Sequence, residues 1–495
     1  MVLWGNKSAS LLLAVSLFAL SAPAHADTLK EALIGAYQTN PTLQAARANQ
    51  RATDENVPLE KSFGRPSVNG SANYTEFLKQ STANFTAPER VVGARVDLAV
   101  PVYSGGAVKY SVRAAETRVE AGQADLRGTE SSLFSQVVAA YMDVLLQQAV
   151  VGLSLNNVDV LSINLQATSD RFEIGDLTRT DVAQSQSRLS TSQSDLESAR
   201  ANLIGARETY IELVGDVPDN LQPPPPLPGL PDNVAEAVDI ALENNPDLIA
   251  ARERAAASDY DIDVAGAGRL PSVSLFSGGD YANYLGTLGG GGVGPTIDQA
   301  QTSAQAGIRA SIPIFNGGRV AALQRQAQAR SSAALENEIA AERGVIAQVR
   351  ASYSSWRAAN SIILATQTAV SAAELSLEGT RAENTVGNRT VLDILDAERE
   401  LLSARVQLVT ARRNAYVAGF SLLAAMGRAE ARDLGLGDDV PLYDADVNYQ
   451  RVEGSWWDWD RDPAPAAVST STVDSPPQDG EIPADGESDA EDGVY

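Results

Sequence analysis

Apolar residues recur every seven positions along two long stretches of the chain. In the first, Val112, Val119, Leu126 and Leu133 are spaced by seven, and after a four-residue shift so are Val137, Val144, Val151, Val158, Leu165 and Phe172. In the second, Val349, Trp356, Ile363, Val370 and Leu377 keep the same spacing and stand 212 positions after Val137 to Leu165. Such spacing predicts helices that bury a seam against other helices, and a four-residue insertion locally unwinds the supercoil. The helices are expected over residues 104–174 and 316–386, which contain no proline. Each follows a turn, Tyr103-Ser104-Gly105-Gly106 or Phe315-Asn316-Gly317-Gly318, and each stops at a glycine, Gly175 or Gly387. At 1.5 Å per residue such a helix is ~105 Å long, far beyond what one compact core encloses. Shorter helices are expected to return over 176–214 and 388–427.

Before each long helix the period changes from seven to two. Val92, Ala94, Val96, Leu98, Val100 and Val102 alternate with Gly93, Arg95, Asp97, Ala99 and Pro101. Ala304, Ala306, Ile308, Ala310, Ile312 and Ile314 alternate with Gln305, Gly307, Arg309, Ser311 and Pro313. Strands are expected at 66–78, 91–103, 271–284 and 303–315. About eleven alternating residues match a membrane-spanning barrel strand. Periodicity alone leaves open a soluble hairpin with one wet face. Four strands cannot close a barrel, and hydrocarbon does not tolerate bare strand edges, so a membrane location would require several chains to share one barrel. The hairpin loops, around Lys79–Glu89 and Leu285–Thr296, suit an external mouth.

The order of elements repeats. Leu29-Lys30-Glu31-Ala32-Leu33 through Asn40-Pro41-Thr42-Leu43 resembles Val234-Ala235-Glu236-Ala237-Val238 through Asn245-Pro246-Asp247-Leu248. Pro101, Tyr141 and Gly215 correspond to Pro313, Tyr353 and Gly427. Two homologous repeats are expected at 27–215 and 232–427, joined by a stiff linker, 216–231, with prolines at 223–226 and 228.

Composition narrows the function. Lys7, the apolar run Leu11–Leu20 and Ala24-His25-Ala26 read as a signal peptide over residues 1–26. His25 is the one histidine and the chain has no cysteine, so the mature protein is expected to lack both. That removes Cys nucleophiles, His triads and nearly all zinc sites, and no cofactor is expected. Gly289–Gly292 lacks the following Lys-Ser/Thr of a phosphate loop. Losing a leader that holds Lys7 and no acid takes the formal charge from −25 to −26, which disfavours nucleic acid as a partner. Past Gly427, Tyr443, Tyr449 and Trp456-Trp457-Asp458-Trp459 suggest a periplasmic segment, 428–461, packing on the helices. Residues 462–495 carry nine acids and no Lys or Arg and are expected to be disordered.

Over residues 27–445 the chain resembles the TolC family of outer-membrane export proteins. The resemblance rests on the paired Asn-Pro-x-Leu helices, the Pro-x-(Tyr/Phe)-x-Gly-Gly turns, and two helix-to-helix turns. These are Arg171-Phe172-Glu173-Ile174-Gly175-Asp176-Leu177-Thr178-Arg179-Thr180-Asp181-Val182 and Glu383-Asn384-Thr385-Val386-Gly387-Asn388-Arg389-Thr390-Val391-Leu392-Asp393-Ile394-Leu395-Asp396-Ala397. Ala424-Ala425-Met426-Gly427 and Leu442-Tyr443-Asp444 resemble members serving type I secretion. The resemblance implies a mainly α protein with membrane β structure: an antiparallel coiled-coil barrel, and four strands per chain in a twelve-stranded trimeric barrel. It implies a homotrimer in the lipid of a Gram-negative outer membrane, extending into the periplasm. Opening would be iris-like, driven by a periplasmic adaptor and an inner-membrane pump of the ABC or RND type, with no enzymatic chemistry.

Gate positions carry over from the same resemblance. Arg389 matches the family's gate arginine, and Thr180 and Asp181 match its partners, so a charge-assisted Arg389–Asp181 bond is expected. Asp393 and Asp396 match the aspartates that ring the constriction, a cation-selective arrangement under threefold symmetry. Asn384 stands where the family has a gate tyrosine. The bland reading of these residues is helix capping. The alternative for the whole chain is a soluble periplasmic coiled-coil protein, structural or adhesive.

Overall fold

A computed structural model describes residues 28–80, 87–289 and 297–482. The expected leader, the end of the acidic tail and the middle of both hairpin loops lie outside these residues. The chain opens with α1 (Leu29–Thr39), α2 (Pro41–Asp54) and α3 (Asn56–Ser62), followed by β1 (Ser67–Glu76) and β2 (Arg90–Tyr103). The long helix α4 (Ala107–Glu173) and the shorter α5 (Arg179–Val214) complete the first half. The same order returns as α6 (Val234–Asn244), α7 (Pro246–Ala267), β3 (Ser272–Asn283), β4 (Ala300–Ser311), α8 (Arg319–Thr385) and α9 (Val391–Ala425). A last short helix, α10 (Ala445–Val452), lies against α2.

Both long helices have 67 residues, or ~100 Å of axial rise. They start three residues later than expected, because Gly106 and Gly318 at their N-caps have left-handed φ of 88° and 80°. The predicted seams face inward along most of their length, with Phe172 at the tip 41% exposed. Val119, Leu126, Leu133, Val137, Val144 and Val151 are buried on α4, as are Val349 and Leu377 on α8. Each full burial of this kind contributes roughly 1.5–3 kcal/mol. The apolar stretch of α4 that is long enough to cross a membrane is 67% buried within the helical body, so its greasiness is spent on packing. The long helices differ in one respect. α4 has 23 buried residues and α8 has eight, because α4 is flanked by α5, α7 and α9 while α8 lies at an edge. Leu335, Ile362, Leu364 and Leu375 of α8 are more than half exposed.

Two asparagines fasten the shorter helices. Asn40 caps α2 by accepting from the N–H groups of Thr42 and Leu43, and donates its amide to the Leu213 carbonyl at 2.9 Å. Asn245 does the same for α7 through Asp247 and Leu248, and donates to the Ala425 carbonyl at 2.9 Å. Each Asn-Pro turn thereby grips the last turn of α5 or α9. The proline linker crosses the body, held by the Tyr141 and Tyr416 hydroxyls donating to the Gln222 and Pro225 carbonyls.

The four strands form one antiparallel sheet in the order β1-β2-β3-β4. β4 ends at Ser311 and not at 315, since Pro313 has no N–H to continue the ladder. In β2, Pro101 is accommodated where the register to β3 shifts, between Pro101 and Tyr103.

The C-terminal region meets the helices in two places. Tyr443 and Tyr449 pack on the helical body, and residues 462–482 run over it without helix or strand. Buried Arg207 of α5 donates to the Asp479 carbonyl and carboxylate at 2.8 and 3.0 Å and to the Glu481 carbonyl at 2.8 Å, and Ile482 packs on the helical core. One buried guanidinium supplies the counter-charge that the tail's own composition lacks. The tryptophans expected to pack with those tyrosines do not: Trp456, Trp457 and Trp459 are 62%, 68% and 74% exposed.

Gly427 and Gly387 separate backbone from packing effects. Both have left-handed φ, but a Cβ at Gly427 would meet the Asn244 carbonyl oxygen, whereas at Gly387 it meets open space. Gly387→Ala should cost about 1 kcal/mol and Gly427→Ala clearly more, read as thermal unfolding midpoints of the detergent-solubilised protein. Equal losses would contradict the close approach at Gly427.

Candidate functional site: helical tips and a two-faced sheet

The helix pairs α4–α5 and α8–α9 turn at one end of the body. In each turn a glycine follows the long helix and a threonine caps the shorter one. Thr178 accepts from the Asp181 N–H, and Asp181 takes the Thr178 N–H at 2.8 Å and hydroxyl at 2.7 Å. Thr390 and Asp393 repeat the arrangement at 2.8 Å for both bonds. These bonds hold both carboxyls below the usual aspartate range. For Asp181 the cause is the Thr178 hydroxyl and then its N–H; for Asp393 it is the Thr390 N–H, then its hydroxyl, with Arg389 adding to it.

Arg389 sits in the turn before α9. Within one chain the expected Arg389–Asp181 bond gives way to Arg389 Nε donating to Glu383 at 2.8 Å, with Asp393 3.9 Å from Nη1. The reason is local: Glu383 lies one turn back on the same hairpin, and Asp181 is already engaged by its own cap. Thr180 is exposed in the first turn of α5. Asn384, at the tyrosine position, donates its amide to the Arg389 carbonyl at 2.8 Å and so shapes the turn that presents the arginine. Asp396 reaches the other hairpin, where Arg188 of α5 donates to it at 2.6 Å.

Sequence reasoning missed the contacts that join the two hairpins. Besides Arg188, these centre on Glu398 of α9, which is 6% exposed. Its carboxylate accepts from Asn164 of α4 at 2.8 and 2.9 Å and from Arg381 of α8 at 3.0 Å. Leu161, Leu189 and Leu395 pack together beside it. The available signal was an acid three positions after Leu395, on the buried side of α9, where a lone polar residue fixes register.

At the opposite end, the sheet has two chemically distinct faces. Residues directly across an antiparallel ladder share a face. The pairs Ala72↔Ala94 and Leu275↔Ile308 carry an apolar one, continued by Val92, Val96 and Ala304. Ser71↔Arg95↔Asp280↔Ser303 carry the polar one. There Arg95 bonds Asp97 at 2.6 Å and lies 3.4 Å from Asp280, which accepts from the Ser303 hydroxyl. β1 and β4 each have one paired side only.

A tall helical body crowned by a sheet with one greasy and one wet face defines the class of outer-membrane channel proteins. The chain belongs to the outer membrane efflux protein family, whose model matches residues 34–216 and 237–428. It is 33% identical over 432 residues to the outer membrane efflux protein BepC of Brucella suis, covering 87% of this chain and 91% of that one. It is 26% identical over 435 residues to the outer membrane protein TolC of Vibrio cholerae, covering 87% and 97%. The solved Campylobacter jejuni CmeC outer membrane channel superposes with a TM-score of 0.71 at 16% identity, over 86% of this chain and 89% of that one. The resemblance to the TolC family and the outer-membrane location read from the sequence therefore hold, and the soluble coiled-coil alternative is set aside.

Two outcomes test the tips. Glu398→Ala should cost about 1–3 kcal/mol by stranding the Asn164 amide and loosening Arg381, with Glu398→Gln costing less, and should expose the turns to limited proteolysis. Because Asp181 and Asp393 titrate below the ordinary range, their capping contribution is complete above that range and is lost as pH falls through the lowered values. The proteolysis pattern of the turns should therefore be unchanged at pH 5 and change only in stronger acid.

Proposed function

We propose that three copies of this chain share one twelve-stranded barrel in the outer membrane, and that their helices form a periplasmic tunnel. The observation that carries this reading is the two-faced sheet with both edge ladders unpaired. Such edges are excluded from hydrocarbon unless another chain pairs with them. The exposed apolar side of α8 supports the same association along the tunnel wall. Substrates handed over by an inner-membrane pump of the ABC or RND type, through a periplasmic adaptor, pass through without chemical change; the cargo is secreted protein, expelled drug, or both.

The tips are the gate of this conduit. Arg389, Thr180, Asp181 and Asn384 set its resting closure, and Asp393 and Asp396 line its constriction. In the trimer Arg389 exchanges Glu383 for Asp181 of a neighbouring copy. Asn384 packs less than a tyrosine but fixes the Arg389 backbone, so closure rests on that ion pair and on the Arg188–Asp396 and Asn164–Glu398 links. An adaptor opens the iris by breaking these bonds.

In a planar bilayer the purified protein should show a small conductance that prefers cations. Arg389→Ser should raise it several-fold, about the effect of losing one charge-assisted bond. Asp393→Asn combined with Asp396→Asn should weaken the cation preference. A folded, membrane-inserted protein with no conductance in any of these forms would reject the reading.

A further inference from the structure

The exposed tryptophans are held in a closed loop. Before them, Lys61 lies 3.6 Å from the Glu453 carboxylate, and Arg65 donates to the Ser455 carbonyl with its guanidinium 5.1 Å from the Trp456 ring. After them, Asp462 returns to Arg451 of α10 in a bidentate pair at 2.8 and 3.0 Å. Ser455 and Asp460 donate their backbone N–H groups to the carbonyls of Val452 and Trp457, shaping the turn. The loop is thus pinned at both feet, and its tip presents three large apolar surfaces to the outside. Such a presentation in a soluble setting has no packing purpose.

The sheet register gives the height of the loop. Ser67, the first residue of β1, pairs with Ala99, and Arg65 lies in the turn just before it, at the helix-side end of the ladder. Tyr74, near the loop end of the sheet, pairs with Val92. The nine steps from Val92 to Pro101 span ~30 Å of strand, or ~23 Å along the normal at ~40° tilt, close to the ~25 Å apolar band of a membrane barrel. Trp456 therefore sits one membrane thickness from Tyr74, at the helix-side rim. Phe63 and Phe315, 62% and 85% exposed, flank the strands at the same rim.

We infer that Trp456, Trp457 and Trp459 seat in the headgroup–acyl boundary of the periplasmic leaflet, as a membrane anchor contributed from outside the barrel. Their partner is zwitterionic phospholipid. Tryptophan suits that boundary because its ring is apolar and its indole N–H stays hydrogen-bonded. Glu453, Asp458, Asp460 and Asp462 are matched by Lys61, Arg65, Arg451 and Arg461, so the loop offers no net positive charge to select an anionic headgroup. The proposal rests on the membrane placement of the sheet.

Trp4 lies in the expected leader, so the mature protein holds one other tryptophan, Trp356, within the helical body. The mature Trp356→Phe protein therefore reports on the loop alone. In vesicles of zwitterionic phospholipid brominated on the acyl chains, its emission should fall about twofold or more, bromines near the glycerol end quenching better than those near the methyl end. Replacing all three loop tryptophans by serine in the otherwise native chain should abolish that quenching and leave the vesicle-bound conductance in place. Protein that floats with the vesicles but is not quenched, whether its emission is blue-shifted by a neighbouring copy or remains that of water-exposed indole, overturns the anchor and leaves the channel reading standing. Protein that does not float with vesicles overturns both.

Discussion

The backbone hydrogen bond that cannot be left unmade in hydrocarbon governs this molecule. Four strands supply three complete ladders and leave two bare edges. In water those edges would cost little; in lipid each unpaired group costs several kcal/mol. The sheet's polar face adds a second demand, since Arg95, Asp97 and Asp280 need water or one another on the side away from lipid. A closed ring of strands around a wet lumen meets both requirements. The asymmetry between the well-buried α4 and the half-open α8 follows the same logic in the helices, where in the proposed trimer a single chain would build only a sector of a wall.

At the far end, function depends on a different balance. If the tips are the gate proposed above, they cannot be sealed by a deep apolar core, and they have little of one. Leu161, Leu189 and Leu395 make a small cluster, and polar bonds around Glu398 and Asp396 do the rest. Such bonds are specific in geometry yet modest in net strength, because water replaces them when they part. The result suits a joint that holds one register and yields to a docking partner.

Much of this was readable in the sequence. The seven-residue apolar period fixes which side of each long helix is inside, because no other face of α4 could bury Val137, Val144 and Val151 together. Period-two alternation fixes the faces of the sheet for the same reason. Ends were less legible: β4 stops early because of what Pro313 lacks, which is a property of the ladder and not of the hydrophobic pattern. Hairpin-to-hairpin bonds were invisible, since Arg188 and Asp396 lie 208 positions apart with no local rule to pair them. Composition could not show the contact within the acidic tail that ties Asp479 and Glu481 to Arg207, an arginine on another element. It misled for the tryptophans, whose size suggested a core they do not join.

The Asn40 and Asn245 clasps fix where movement can begin. Each ties the last turn of α5 or α9 to the body beside the short helices, while the other end of a ~54 Å rod is held by its seam with α4 or α8 and by the tip bonds. With such a pivot, a lean of ~5° at the root carries the tip sideways by ~5 Å, about the diameter of a side chain. The two amides thus serve as hinge pins, converting rotations too small to disturb the packed root into displacements large enough to matter at an aperture.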